Sequence, residues 1–147
     1  MLFVTGKACD KLIDNLLFCT DVVAWSESIK YLGIHFYYGC TLDIDISHMM
    51  RKFYAAANAI CGHVKFASDM SRLLLMESFC LPLLSYCCEA MQYSRRQLQQ
   101  LNVCWNNAYR KVSGMHSWAS VKEIQFYCGG LDFIHTYVLR KLTFLSK

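Results

Sequence analysis

Apolar residues recur along this chain with two different periods. Up to about Gly39 they fall in short runs bounded by turn formers: Leu2–Thr5 closes at Gly6, Asn15–Cys19 and Val22–Trp25 flank Thr20 and Asp21, and Ile29–Tyr37 is rich in aromatic and β-branched residues. Such runs predict short strands joined by tight turns, either a small antiparallel sheet or a pair of hairpins. Beyond Gly39 the period changes from two to about 3.6 and stays helical nearly to the end.

Four or five helices follow from that second period. Ile46, Met49, Met50, Phe53, Ala57, Ile60 and Val64 form one face of a helix over about 45–64, with Asp43 or Asp45 as candidate caps and Arg51 and Lys52 facing outward. Ser68 caps a second helix carrying Leu73, Leu74, Met76, Phe79 and Leu83, in which Pro82 removes a backbone donor and predicts a bend rather than a break. The third has a capping box, Ser94 with Gln97, then Leu98, Leu101, Trp105, Ala108 and Val112, and Gly114 as its stop. A second box, Ser120 with Glu123, opens a short helix to about Tyr127 that Gly129 and Gly130 close. The last helix, 132–145, presents Phe133, Ile134, Tyr137, Val138, Leu142 and Leu145. The predicted fold class is α+β, mainly α: a small N-terminal antiparallel hairpin region over 1–40 followed by a bundle of four to five helices over 41–147.

Composition narrows the class. At 147 residues the chain has the length of one domain, and its 55% hydrophobic share is high while its 18% charged share is low. A chain of this kind must bury much surface or bind something. Nine cysteines are an odd number without a C-x-x-C pair, and Cys87 and Cys88 sit in an apolar helical stretch, which reads as reduced core thiols of an intracellular, cytoplasmic or nuclear protein. The Met1–Val4 run is too short for a secretory signal. Leu73–Met91 is long enough for a membrane span but holds Glu77, Pro82 and Glu89, so a buried amphipathic helix is the better reading and a membrane partner is not expected.

Catalytic and metal chemistry find little support. Two-metal nucleotidyl transfer needs converging carboxylates, yet no two acidic residues are adjacent, and Asp43 and Asp45 suit a helix start better than a metal. Thr5–Gly6–Lys7 lacks the rest of a P-loop, and Cys61 and His63 at i, i+2 point to different helix faces. No catalytic residue, metal ligand or cofactor is assigned. Charge is more informative. Residues 1–45 hold three Lys against six acids, net −3, whereas residues 46–147 hold twelve Lys or Arg against five acids, net +7. Basic residues recur on the helices as Arg51 and Lys52, Lys65, Arg72, Arg95 and Arg96, Arg110 and Lys111, and Arg140 and Lys141. They are of the kind that neutralises phosphates without reading sequence, although a solvated helix face needs such residues too. Asn106 and Asn107 lie off the apolar stripe as candidates for polar contact, while Trp105 lies on it and belongs to the core.

Four segments stand in a fixed order: Lys30–Tyr31–Leu32–Gly33–Ile34, then Arg51–Ile60 (RKFYAAANAI), then Cys80–Leu81–Pro82, then Trp105–Asn106–Asn107–Ala108–Tyr109–Arg110. In order and spacing they resemble the part of a non-LTR, LINE-like retrotransposon reverse transcriptase that follows its catalytic palm. The resemblance covers about Leu2 to Leu145. It implies that Tyr31, Leu32 and Gly33 are primer-grip positions at the turn of a hairpin, that residues 1–40 are palm-edge strands, and that the helices from 45 onward are a thumb closing over an RNA/DNA duplex. The family's palm, with its paired aspartates, would lie before Met1. The resemblance therefore implies a non-catalytic fragment, not itself an enzyme, with weak sequence-independent nucleic-acid binding. A thumb without its palm would expose apolar surface, be poorly soluble and self-associate. The alternatives are a helical protein-interaction module and a retroelement remnant without function.

Overall fold

The computed structural model describes residues 16–18, 21–23, 26–38 and 43–146. They fall into two compact units, Met1–Asp45 and Ile46–Lys147. The Leu2–Thr5 run, Gly6, Lys7 and Gly39 lie outside the described residues.

In the first unit, β1 (Leu16–Phe18) pairs antiparallel with β2 (Asp21–Val23), and Phe18 stands opposite Asp21. Asp21 is thus a strand residue and not the turn residue that the sequence predicts, while Thr20 lies outside the described residues. The Ile29–Tyr37 run is two strands. β3 (Ser28–Tyr31) and β4 (Ile34–Tyr37) pair with Tyr31 opposite Ile34, leaving Leu32 and Gly33 as a two-residue loop. Both loop residues have positive φ, 47° and 81°, as the type I′ turn that matches strand twist requires. Glycine adopts this conformation freely, but leucine there costs roughly 1–2 kcal/mol. β5 (Asp43–Ile44) adds to the other edge of β4, giving the order β3-β4-β5. Ile34 and Phe36, two residues apart and so on one face, are both buried, as is Ile44.

The second unit is helical. α1 (Ser47–His63) starts two residues later than its apolar period predicts, with Ile46 at the N-cap position and Asp43 inside β5. Its buried line is Met49, Phe53 and Ala57. α2 (Asp69–Leu75) is capped by Ser68, whose Oγ accepts from the Ser71 N–H at 3.2 Å. It passes through a π-turn (Met76–Cys80) into α3 (Leu81–Leu84). The wider turn is the local answer to Pro82: the Leu81 N–H reaches back five residues to the Met76 carbonyl, and the helical run continues across the proline in a changed register. Leu73, Met76, Cys80 and Leu84 form the buried line, and Leu74 and Phe79, each one position off it, are exposed, although the sequence predicts both on the inner face. The run ends at Leu84, short of Met91, and no helix among the described residues is long and apolar enough to cross a membrane.

α4 (Arg95–Val112) is the centre of this unit. Its capping box is complete, with Gln97 N–H to Ser94 Oγ at 3.2 Å and Ser94 N–H to Gln97 Oε1 at 2.8 Å, an arrangement worth about 1 kcal/mol. Trp105 is 1% exposed; it meets Phe53 and Tyr109 edge-on, at centroid distances of 6.3 and 5.3 Å, and its indole N–H donates to the Leu131 carbonyl at 3.0 Å. Full burial of side chains such as Phe53 contributes roughly 2–3 kcal/mol each. α5 (Lys122–Tyr127) starts behind Val121, which places Ser120 one position too early for the predicted capping box. Ser120 Oγ instead accepts the Lys122 N–H at 3.5 Å, a weak contact. α6 (Phe133–Leu145) is capped by Asp132 on the His135 N–H at 2.8 Å. It buries Phe133 and Tyr137, while Val138, Leu142 and Leu145, predicted on the same face, are exposed.

Candidate nucleic-acid interface

α1 and α4 lie side by side and run in the same direction, because their contact partners advance together along both helices. The Tyr93 hydroxyl, just before α4, meets Met49 Sδ at 3.9 Å; Phe53 meets Trp105; Asn107 Nδ2 donates to Tyr54 Oη at 3.3 Å; and Lys111 Nζ donates to Asn58 Oδ1. Polar contacts fasten the C-terminal part of this seam. Towards its N-terminal part the seam opens into a groove of about 690 Å³, lined by Met50, Tyr54, Arg95, Arg96, Gln99, Gln100, Val103 and Cys104.

The groove combines an apolar floor with cationic and amide walls. Arg95 and Arg96 are exposed and occupy the first turn of α4, which holds no acidic residue. Two guanidinium groups at the positive end of a helix dipole oppose the dipole by roughly 0.3–1 kcal/mol each, a cost that a bound anion would offset. The Tyr54 phenol is held above its ordinary pKa by burial first and by the Cys104 thiol next, so it stays neutral beside Asn107. Arg51 follows Met50 and lies one turn before Tyr54, on the border of the groove; Lys52 is turned to the other side of α1 by helical geometry.

The remaining candidates are dispersed or engaged. Lys65 is exposed beyond the end of α1. Arg72 pairs with Asp69, its Nε buried without a hydrogen-bond partner. Arg110 donates from Nε to the Ala119 carbonyl and from Nη1 to Asn107 Oδ1, both at 2.9 Å. Asn106 Oδ1 accepts from the buried Gln125 at 3.0 Å, so both asparagines take part in internal networks. Arg140 pairs with Glu89 at 3.1 Å on the wall of a second cavity, about 430 Å³, and Lys141 lies over the Tyr137 ring. Tyr31, Leu32 and Gly33 stand at the tip of the β3–β4 hairpin, with Tyr31 and Leu32 exposed.

Tyr54, Gln99 and Gln100 are groove residues that sequence reasoning passed over. The signal was present, since Tyr54 follows Met50 by four residues and the glutamines follow the arginines by four, which puts them on the same helix faces. Among the described residues no group of three His, Cys, Asp or Glu is placed to hold a metal ion. Comparison of the chain with protein-family models, curated proteins and solved structures finds no match.

Proposed function

We propose that this chain is the primer-grip and thumb-like region of a LINE-like reverse transcriptase, a non-catalytic segment that holds an RNA/DNA duplex weakly through its phosphates. The observation that carries the reading is the pair Arg95 and Arg96, which line the α1–α4 groove from a first turn of α4 that holds no acidic residue. The tight Leu32–Gly33 turn supports it, since the resemblance calls for a hairpin tip at that position. The sequence holds no aromatic-x-Asp-Asp motif, so polymerisation is not part of the proposal.

Binding of a blunt RNA–DNA hybrid should weaken linearly in log–log terms as salt rises, because phosphate contacts release counterions. Replacing both Arg95 and Arg96 with Gln should reduce the magnitude of that slope by up to about 1.8 if each contacts one phosphate. Binding that ignores salt, or no binding at low salt, would refute the proposal. A second reading, a helical interaction module that associates with a partner or with itself, is favoured by the exposed Val138, Leu142 and Leu145 on α6. Its mark is an oligomer that depends on protein concentration and is indifferent to nucleic acid.

A further inference from the structure

The connection between α4 and α5 is tied at both ends to one residue. The Met115 N–H donates to the Arg110 carbonyl at 2.9 Å, and Arg110 Nε donates to the Ala119 carbonyl at 2.9 Å. Within that clip, the Ala119 N–H donates to the His116 carbonyl at 3.0 Å and closes a four-residue turn. The turn stacks the His116 and Trp118 rings, their planes 3° from parallel and their centroids 5.2 Å apart. Trp118 is 82% exposed. One indole face rests against the imidazole, so exposure of that extent leaves the other face open.

An exposed tryptophan forgoes the largest burial gain of any side chain, and here the backbone holds it out rather than letting it collapse onto the helices. We infer that this turn is a stacking platform for an unpaired nucleobase. A flat aromatic face accepts any base, and a third ring would extend the His116–Trp118 stack without reorganising the turn. Bases inside a duplex are covered by their neighbours, so the ligand is a single-stranded RNA or DNA segment, or a frayed end. Exposed Lys122 follows the turn closely in sequence and would meet a phosphate beside the stacked base, whereas Lys111, which precedes the turn, is held on Asn58 across the α1–α4 seam. Glu123 is the one acidic residue near Lys122 in sequence. Nothing in the turn is arranged to read base edges, so the platform is tolerant of sequence. The inference rests on the reading of the helical unit as a nucleic-acid binder, but on residues outside the α1–α4 groove.

The test titrates the full chain with a short oligoadenylate and with a blunt RNA–DNA hybrid at low salt, following tryptophan fluorescence and anisotropy. Oligoadenylate should quench the emission. Trp118→Ala should abolish most of that quench and weaken oligoadenylate about tenfold, within the range for loss of one stacked base, with hybrid affinity unchanged. Trp118→Phe keeps a stacking face and should restore most of the binding; both variants should retain the wild-type far-ultraviolet circular dichroism. If Trp118→Ala leaves oligoadenylate affinity unchanged, or weakens both probes equally, the platform is overturned while the groove proposal stands. If neither probe binds, both fail. A Trp118 emission shift with phosphatidylcholine vesicles in place of oligoadenylate would overturn the platform in favour of a membrane-surface contact.

Discussion

Gly130→Ala should destabilise the helical unit far more than a surface glycine substitution does. A Cβ at this position would stand 2.2 Å from Tyr109 Oη, 3.3 Å from Tyr109 Cζ and 3.2 Å from Glu77 Oε1. The backbone cannot retreat freely, because the Gly130 N–H is bonded to the Gln125 carbonyl at 2.8 Å. Nor can the ring, since Tyr109 is buried edge-on against Trp105, and Trp105 is fixed by Phe53 and the Leu131 carbonyl. Overpacking of this kind costs about 1–3 kcal/mol. Losing the 3.0 Å bond from the Tyr109 hydroxyl to Glu77 adds about 1–3 kcal/mol. The lower chain entropy of alanine returns only about 0.4–1 kcal/mol, so a net loss of roughly 1–5 kcal/mol, centred near 3, is expected.

Urea denaturation of four proteins checks this: wild type, Gly130→Ala, Tyr109→Phe and the double variant. Removing the hydroxyl removes the 2.2 Å contact, so Gly130→Ala should cost less than about 1 kcal/mol in the Tyr109→Phe background, a coupling typical of touching residues. Gly129→Ala is the control. Gly129 has φ 67° and open space around its Cβ position, so its substitution should cost about 1 kcal/mol whether or not Tyr109 carries a hydroxyl. A wild-type urea midpoint for Gly130→Ala, or an equal cost in both backgrounds, would refute the reasoning.

Two further outcomes follow from buried thiols and from the hairpin. Burial pushes the fully buried Cys80 and Cys88 thiols up from 9.0 to about 11. Each thiol keeps its proton in the fold where the unfolded chain has lost it, so their contribution is complete below pH 9 and lost as pH rises towards 11. The urea midpoint should fall across that window, with a limiting slope for two thiols of roughly 2.7 kcal/mol per pH unit, and Cys80→Ala should make the fall shallower. An unchanged slope would contradict it. Leu32→Asn should stabilise the β3–β4 hairpin by about 1 kcal/mol, because asparagine tolerates the positive φ that Leu32 now adopts. Amide exchange across Ser28–Tyr31 and Ile34–Tyr37 should slow about fivefold; faster or unaltered exchange would rule out strain at Leu32.

What was legible in the sequence was local. The capping box of α4, the Ser68 cap and the apolar line from Leu101 to Val112 were all readable, because caps and helical periods act within a few residues. Where the reading slipped, a neighbour one or two residues away was the cause. Val121 holds the N-cap position that Ser120 was expected to fill, Asp21 pairs in a strand, and Leu74 and Phe79 each stand one position off the buried line of Leu73, Met76, Cys80 and Leu84.

Charge and apolar patterning by themselves determined that an acidic stranded segment precedes a basic helical one, and that Arg95 and Arg96 stand together. Only the tertiary structure decided which of these groups meet. It joined Arg95 and Arg96 to Tyr54, and committed Asn107 and Arg110 to internal bonds. It buried Trp105 beneath Leu131 while holding Trp118 in solvent on a clipped turn. The physical reason is range. A helix period says which residues share a face, but whether that face has a partner depends on contacts dozens of residues away, such as Tyr137 hydroxyl to the Met91 carbonyl or Tyr109 to Glu77, which no local window contains.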